Sequence, residues 1–364
     1  MFPPVHLKGE PKFLKELDRP FSQQIAAMVA PRCTKKPFLL LSCGSRPECF
    51  CSFSDGRTCE LSGRHLRVTS LRGETEYISL DDADSNLGGS EEEASGCAYI
   101  SCASHDKRKL VALGGAGIKA NIKVIQLSCT PPRCAWRHTL NIASPMEILS
   151  LEFSPCGRRL FCLSSWLQPA KEQHPQYSPR VYHVTILKAF DGEMQACHLL
   201  QWDDSASFPT RLLAGNSCAL AVVAETNLMV LQVLRSNEDK VVTSGLLLPV
   251  TRGPTIGSAG DVRITGACWI AATATGKKNG SNHNLLFLAL SNKLLLALGI
   301  GCLGTDEPFL AWATTSEDKY ISLAAEDGTG ILLGLTESSV LHTYKLNEGA
   351  AERVFQETQV SGLH

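Results

Sequence analysis

The sequence predicts an all-β chain, a β-propeller of about six to seven four-stranded blades whose ring closes or is left incomplete. Short apolar runs recur in pairs joined by turns that contain glycine or proline, a pattern typical of β-hairpins. The hairpins group into units of about four strands that repeat every 40 to 65 residues or so, which is the spacing of propeller blades. Strands such as Leu285–Ser291 are apolar on both faces, as expected where a blade packs against neighbours on both faces.

Two or three β-sandwich domains are the alternative architecture. A sandwich uses about seven to nine strands in roughly 100 residues, so the 364 residues of this chain would need several of them. The regular recurrence of four-strand units favours the propeller.

Composition excludes several classes of function. The chain is 44% hydrophobic with a formal net charge of -1, so it can bury a large core and has no bulk attraction to nucleic acid or anionic membranes. No apolar run reaches the length of about 18 residues that a transmembrane helix requires. The first residues carry charges and prolines where a secretory signal would be apolar.

The cysteines indicate a reducing compartment and a cytoplasmic chain. Fifteen cysteines amount to about half the fraction that is typical of a disulfide scaffold. They are scattered through apolar runs, where a free cysteine packs as a small hydrophobic residue; examples are Cys97, Cys102, Cys162, Cys218 and Cys268. The glycosylation sequon at Asn279–Ser281 is then expected to be unused.

We divide the chain into a leader over residues 1–36, a propeller over residues 37–358 and a tail over residues 359–364. The leader has few apolar residues and is expected to lie on the surface, partly disordered. Its basic residues are Lys8, Lys12, Lys15, Arg19, Arg32, Lys35 and Lys36.

Six units of short strands follow the leader. The first contains predicted strands at Phe38–Ser42, Cys49–Phe53, Cys59–Leu61, Leu66–Leu71 and Glu76–Leu80, with an Asp55–Gly56 hairpin turn. The third opens with the clearest hairpin, EILSLEFSPCGRRLFCLSS at Glu147–Ser165. The units span Phe38–Leu80, Cys97–Ile142, Glu147–Trp202, Pro209–Pro249, a fifth that begins at Val262 and a sixth that begins near Phe309.

Partner binding is expected at the loops, because the strands of a propeller are buried in its core. The candidate loops are Asp81–Glu93, Gln168–Pro179, Arg252–Asp261 and Gly276–Asn284. The first carries six acids and no base, so it is either a solvated connection or a contact for a basic partner surface. The candidate partner-binding residues are Asp81, Asp82, Asp84, Glu91, Glu92, Glu93, Lys277 and Lys278.

Two glycine-containing stretches lack the features of a phosphate loop. Gly114, Gly115 and Gly117 are followed by a strand pattern instead of a helix, so we predict that they form a hairpin turn. The second stretch is Ala272–Gly280. Lys278 occupies the place where a phosphate loop has its metal-binding serine or threonine, so we predict a polar loop there.

The remaining polar groups indicate structural roles. Cys43, Cys49, Cys51 and Cys59 form the densest thiol cluster; zinc sites favour two close cysteine pairs, and we predict that these thiols pack, with zinc as the alternative. His138, His183 and His198 each fall within a strand pattern and are expected to be hydrogen-bonded structural residues. No nucleophile elbow, metalloprotease motif or paired carboxylate occurs, so we predict no catalytic residue, no cofactor and no metal.

One hairpin carries a resemblance to a known repeat family. Phe153–Ser165, FSPCGRRLFCLSS, resembles the first hairpin of a WD40 repeat, in which an aspartate usually occupies the turn position that is Cys156 here. The Trp-Asp and Gly-His pairs of that family are absent from the units, and Trp202–Asp203 lies out of register, so the repeats are degenerate. WD40 rings commonly close with about seven blades; the leader and the tail supply the missing sheet, or the ring stays open, or the chain is one part of a longer protein.

Three further stretches are similar to the cilia- and flagella-associated WD-repeat proteins. They span Gly56–Leu80, Asp106–Leu127 and Ala267–Ala274 with Asn284–Leu298, within a resemblance that covers residues 56–345. Echinoderm microtubule-associated proteins share similar blades. The resemblance implies a non-enzymatic platform in an axonemal tether complex or on microtubules, with protein partners and neither nucleic acid nor membrane. A WD40-type substrate receptor or adaptor in ubiquitin, trafficking or chromatin machinery is the alternative.

Overall fold

The computed structural model describes residues 50–53, 55–62, 65–80, 98–118, 120–142, 145–168, 180–202, 207–215, 219–235, 241–249, 262–271, 284–300, 309–326, 331–338, 341–346 and 355–359. All regular elements within these ranges are β-strands. Among the same residues there is no helix with the length and apolarity needed to cross a bilayer. The predicted leader and most of the predicted tail lie outside them, so the proposed domain limits stay a prediction.

The first sheet is a four-stranded antiparallel meander. Its strands are β1 (Phe50–Ser52), β2 (Thr58–Ser62), β3 (His65–Thr69) and β4 (Thr75–Ser79). Gly56, with a φ of 80°, lies in the turn between β1 and β2, and its N–H donates to the Phe53 carbonyl over 2.9 Å. The predicted Asp-Gly hairpin turn is therefore confirmed.

The second and third predicted units share one eight-stranded sheet. β6 and β9 pair antiparallel at their ends, with Ala116 opposite Glu147 and Gly117 opposite Met146. Each unit otherwise forms its own meander. The strands are β5 (Ala98–His105), β6 (Leu110–Gly117), β7 (Asn121–Gln126), β8 (Arg133–Thr139), β9 (Met146–Phe153), β10 (Arg159–Leu167), β11 (Arg180–Lys188) and β12 (Met194–Leu199).

The remaining strands form three four-stranded meanders. The fourth unit contains β13 (Arg211–Ala214), β14 (Ala219–Val223), β15 (Asn227–Arg235) and β16 (Val241–Pro249). The fifth contains β17 (Ile264–Ala271), β18 (Asn284–Leu290), β19 (Leu294–Ile300) and β20 (Phe309–Thr315). The sixth contains β21 (Tyr320–Glu326), β22 (Ile331–Thr336), β23 (Leu341–Leu346) and β24 (Phe355–Gln359).

The predicted start of the sixth unit is wrong by one strand. Phe309 begins β20, which pairs with β19 in the fifth sheet, for example Ala313 opposite Leu296. The stretch between these two strands contains Gly301, Gly304 and Pro308. Such residues are as common in a hairpin loop as in a connection between blades, so the sequence pattern could not separate the two.

The chain divides into two compact units between Trp202 and Asp203. The first unit contains β1 to β12, and its apolar side chains form two clusters on opposite faces of the β5–β8 meander. Val111 and Leu113 belong to the cluster shared with the first sheet, whereas Leu110 and Ala112 belong to the cluster shared with β9–β12. A single strand thus buries both faces, as predicted.

The second unit contains β13 to β24 and repeats this arrangement. Leu286 and Leu288 of β18 pack in a cluster with side chains of the fourth sheet, and Phe287 and Ala289 pack with side chains of the sixth sheet. In the sixth sheet the Tyr320 hydroxyl lies 2.7 Å from His342 Nδ1 and also hydrogen-bonds the Tyr344 hydroxyl. These buried polar groups satisfy one another inside an apolar cluster.

The prediction of a turn at Gly114 and Gly115 is wrong, because both lie inside β6. A Cβ atom at Gly114 would lie 2.4 Å from Ile148 Cγ2 and 2.4 Å from Ser101 Oγ. The Ser101 hydroxyl donates to the Ile148 carbonyl over 2.7 Å. Glycine is therefore required here because β5 and β9 approach the backbone of β6 closely.

We expect Gly114→Ala to lower the free energy of unfolding by about 1–3 kcal/mol, because the added methyl overpacks this junction. Urea denaturation measures the loss. Gly215→Ala is the control, since its added carbon would lie 3.2 Å from the Trp269 ring and needs only a small shift. Equal losses in the two variants would contradict the close approach at Gly114.

Candidate interaction surface

Three hairpin turns are linked to one another within the first unit, and we call them the turn rim. They are the β1–β2 turn at Asp55–Arg57, the β5–β6 turn at Asp106–Lys109 and the β9–β10 turn at Ser154–Arg158. Each joins the first two strands of its meander. The contacts between them hold the three turns in a fixed arrangement.

Asp55 links the first turn to the second. Its Oδ2 lies 2.8 Å from Arg57 Nη2 and 3.2 Å from Lys109 Nζ, and Lys109 Nζ lies 2.7 Å from Asp106 Oδ1. Partial burial raises the pKa of Asp55, but the hydrogen bonds from Arg57 and Lys109 outweigh it and hold that pKa below its ordinary value. The carboxylate is therefore ionised at neutral pH and committed to contacts within the rim.

His105 links the second turn to the third. Its Nδ1 accepts a hydrogen bond from the Arg108 N–H over 3.2 Å, so Nε2 carries the proton of the neutral ring. Nε2 then donates to the Pro155 carbonyl, 3.2 Å away. Gly157, with a φ of 65°, allows this contact, because a Cβ there would lie 2.6 Å from His105 Cε1.

The third turn is held by Ser154 and Gly157, with Cys156 at the position where the resembling repeats usually carry an aspartate. The Ser154 hydroxyl accepts from the Arg159 N–H over 3.0 Å, and the Gly157 N–H donates to the Ser154 carbonyl over 2.7 Å. Cys156 is exposed, with its Sγ 3.4 Å from Ser154 Oγ. Burial raises the pKa of Cys156. The Ser154 hydroxyl, backbone N–H groups and the Arg158 charge together lower it by more, so the pKa lies below its ordinary value.

The rim carries more positive than negative charge. Its three turns contain five cations and two carboxylates, and both carboxylates have cationic partners within the rim. Lys107, Arg108 and Arg158 are exposed. The backbone of Arg158 is fixed as well, because its carbonyl accepts from the Ala189 N–H over 2.9 Å. The surface therefore offers cations at defined positions to a negatively charged partner.

The three strand histidines lie where the sequence predicts, in β8, β11 and β12. The His183 ring packs edge-on against Trp166 with the ring centroids 4.4 Å apart. Burial, with a smaller contribution from His198, lowers the pKa of His183 to about 4. Its Nδ1 has no hydrogen-bond partner among the described residues, so the prediction that it is hydrogen-bonded fails for this atom.

Only part of the predicted thiol cluster lies among the described residues. Cys51 and Cys59 are buried and lie opposite each other on β1 and β2. Burial raises the pKa of Cys59 to about 12. No group of three metal-ligating side chains occurs within the part of the chain that the structure describes, while Cys43 and Cys49 fall outside it.

The predicted partner-binding residues all lie outside the described ranges and stay predictions; they are Asp81, Asp82, Asp84, Glu91, Glu92, Glu93, Lys277 and Lys278. The turn rim is not among the loops that the sequence predicts as partner-binding. A signal for it exists, since each of the three turns is followed by or contains basic residues, as in Asp106–Lys109 and Cys156–Arg159. Nothing in the sequence around each turn indicates which other turn it contacts.

No protein-family model and no curated protein matches the chain. Among solved structures, the chain is similar to the crystal structure of RRP9 WD40 repeats, with a TM-score of 0.52 and 12% identity over 88% of this chain and 81% of that one. It is also similar to the structure of U3-55K, with a TM-score of 0.51 and 12% identity over 85% and 80% of the two chains. The predicted β-propeller of WD40-like blades is thus confirmed as a fold; these structures add no support for the ciliary resemblance.

We expect Asp55→Asn to cost about 0.5–1 kcal/mol at neutral pH, as is usual for a partly exposed ion pair. The folded-state pKa of Asp55 lies below the ordinary value of 3.8, so the stabilisation is present above that value and disappears as the pH falls through the folded-state pKa. Urea denaturation of the wild type and of Asp55→Asn, at neutral pH and below pH 3.8, measures the difference between their free energies of unfolding.

Glu74→Gln, at an exposed position in the β3–β4 turn, is the control and should change stability little at either pH. A difference between wild type and Asp55→Asn that stays constant across the two conditions would show that the Asp55 charge does not stabilise the rim.

Proposed function

We propose that this chain is a non-enzymatic protein-interaction scaffold built on a WD40-like β-propeller, and a subunit of a ciliary, axonemal or microtubule-associated complex. The turn rim is the observation that carries the proposal. Its partner is a negatively charged protein surface, and its contribution to the complex is a rigid set of exposed cations.

The strands leave the turns as the place where a partner binds. Strands such as β6 and β18 use both faces in the apolar clusters, and their backbone groups are paired with neighbouring strands. A partner that bound these strands would have to displace the core. The turns lie outside the strand pairing and can bind a partner without that cost.

The rim is prepared for binding because its turns are already held in place. Lys109 contacts Asp55 of the first turn, and His105 donates to Pro155 of the third. Little backbone freedom is then lost when an acidic segment contacts Lys107, Arg108 and Arg158. Such contacts mainly raise the association rate and weaken as salt is added.

The identity of the complex rests on the resemblance of residues 56–345 to ciliary and microtubule-associated WD-repeat proteins. Microtubules present an acidic surface, which suits the charge of the rim. The basic leader, from Lys8 to Lys36, would add to the same attraction. The acidic tract Asp81–Glu93 and the pair Lys277 and Lys278 are proposed as further contacts, the tract for a basic surface.

We expect Lys107→Glu with Arg158→Glu to weaken co-sedimentation of the full chain with microtubules about tenfold or more, since two favourable charges become repulsive. Added salt should weaken binding of the wild type more than binding of the variant. The matched control is Arg72→Glu with Arg133→Glu, which makes the same charge change at exposed positions of β3–β4 and β8.

The control should bind like the wild type. Equal losses of microtubule affinity in the two double variants would indicate that binding depends on net charge alone, and would contradict the assignment to the rim. A wild-type chain that fails to sediment with microtubules at low salt would remove microtubules as the partner.

We also expect proximity labelling of the full chain in ciliated cells to recover axonemal or microtubule-bound proteins. A variant in which the acidic tract is neutralised should lose the basic members of that set. Its substitutions are Asp81→Asn, Asp82→Asn, Asp84→Asn, Glu91→Gln, Glu92→Gln and Glu93→Gln. Recovery of a ubiquitin-ligase adaptor, a trafficking coat or chromatin proteins in place of axonemal ones would contradict the ciliary assignment and favour the adaptor role.

A further inference from the structure

Two thiols from different strand meanders meet in the first unit. Cys51 lies on β1 of the first sheet and Cys102 lies on β5, and their sulfur atoms are 3.3 Å apart. The two residues are 51 positions apart in the chain. Both are reduced, in contact through a weak S–H···S hydrogen bond.

The backbone places each thiol independently of the other. Cys51 is paired with Cys59 across β1 and β2, and Cys102 is paired with Leu113 across β5 and β6. Cys51 is a member of the apolar cluster between the first sheet and the β5–β8 meander, and Cys102 packs against that cluster. The sulfur atoms are therefore brought together by the packing of the two meanders, and their proximity does not depend on the contact itself.

The two thiols differ in access to solvent. Cys51 is 7% exposed, whereas Cys102 is half-buried. A small oxidant can thus reach Cys102 first. Cys51 lies beside it and can act as the resolving thiol, which forms the disulfide after Cys102 has reacted. This combination of an accessible thiol and an adjacent partner is the arrangement that redox-sensitive cysteine pairs use.

We propose that Cys51 and Cys102 are an oxidation site, at which a small-molecule disulfide of the oxidised-glutathione class closes a bond between the first sheet and β5. The Cys102 thiolate attacks one sulfur of oxidised glutathione, and the first glutathione leaves as a thiolate. Cys51 then gives up its proton and attacks the Cys102 sulfur, which releases the second glutathione. Two thiol protons and two electrons pass from the protein, and oxidised glutathione becomes two molecules of reduced glutathione.

Cys59 and Cys134 are the described thiols to compare with this pair. Cys59 is the nearest competitor, but it is 1% exposed, and burial keeps it protonated at neutral pH. Cys134 is exposed, and its Sγ donates to the Trp136 carbonyl over 3.4 Å, so it serves as the accessible comparison thiol. The Cys51–Cys102 bond forms within one molecule at a high effective concentration of the second thiol.

The bond would tie together two meanders that are otherwise held by apolar side chains, by the Asp55–Lys109 ion pair and by a 2.9 Å hydrogen bond from Arg57 to the Leu127 carbonyl. It would leave the turn rim itself unmodified. The consequence is a first unit whose stability depends on the redox state of its surroundings. This site is independent of the proposed rim function, since neither thiol belongs to the rim.

The test begins with the full chain, purified under reducing conditions and equilibrated with mixtures of oxidised and reduced glutathione. Remaining thiols are alkylated, and the chain is digested and mapped without reduction. We expect a linked peptide pair that contains Cys51 and Cys102 and has lost two hydrogen atoms. It should appear at a glutathione ratio at which Cys134 is still alkylated as a free thiol.

Oxidation should also raise the thermal unfolding midpoint by about 5 °C, reversibly on addition of dithiothreitol. Cys51→Ser and Cys102→Ser should each abolish both the linked pair and the rise, whereas Cys134→Ser should preserve both. If either serine variant at the pair fails to fold, the peptide map of the wild type decides alone. Complete alkylation of Cys51 and Cys102 after oxidation, glutathione retained on Cys102, or a bond from Cys51 to Cys59 would each overturn the proposal.

Discussion

Burial of both faces of the same strand is the constraint on which this structure depends. Val111 and Leu113 of β6 pack on one side while Leu110 and Ala112 pack on the other. A meander with this pattern cannot cover its own apolar surface, so it must stack against a neighbour on each side. Where the side chains of Ser101 and Ile148 close over β6, even a methyl group is too large, which is why glycine occupies position 114.

Stacking also determines where polar groups can lie. The buried indole N–H of Trp136 donates to the Ala189 carbonyl over 2.9 Å, and that of Trp269 donates to the Leu213 carbonyl over 2.9 Å. In each case the donor and the acceptor belong to different meanders, so stacking satisfies polar groups as well as burying apolar ones. Charged side chains lie on strands, as in the Arg67–Glu60 ion pair, and also at turns, and in the turn rim those at the turns form a connected surface.

The sequence predicts what is local and misses what is set by packing. The turns at Asp55–Gly56 and Ser154–Gly157 were predictable, because each needs a glycine with positive φ. The sequence pattern places Gly114 in a turn, since a glycine that permits close approach has no local pattern to distinguish it from a turn glycine. The place of β20 in the fifth sheet depends on its pairing with β19. The contacts Asp55–Lys109 and His105–Pro155 join residues about 50 positions apart. The repeating pattern of apolar residues does not predict contacts of this kind.

The third turn explains how the fold persists while its sequence signature fades. Its backbone is held by Ser154 and by the left-handed conformation of Gly157, and His105 fastens it to the second turn through a backbone carbonyl. None of these contacts uses the side chain at position 156, which is exposed. Cys156 can therefore replace the usual aspartate, with its Sγ 3.4 Å from Ser154 Oγ. Position 156 can vary without loss of the blade, because the contacts that hold the turn do not use its side chain.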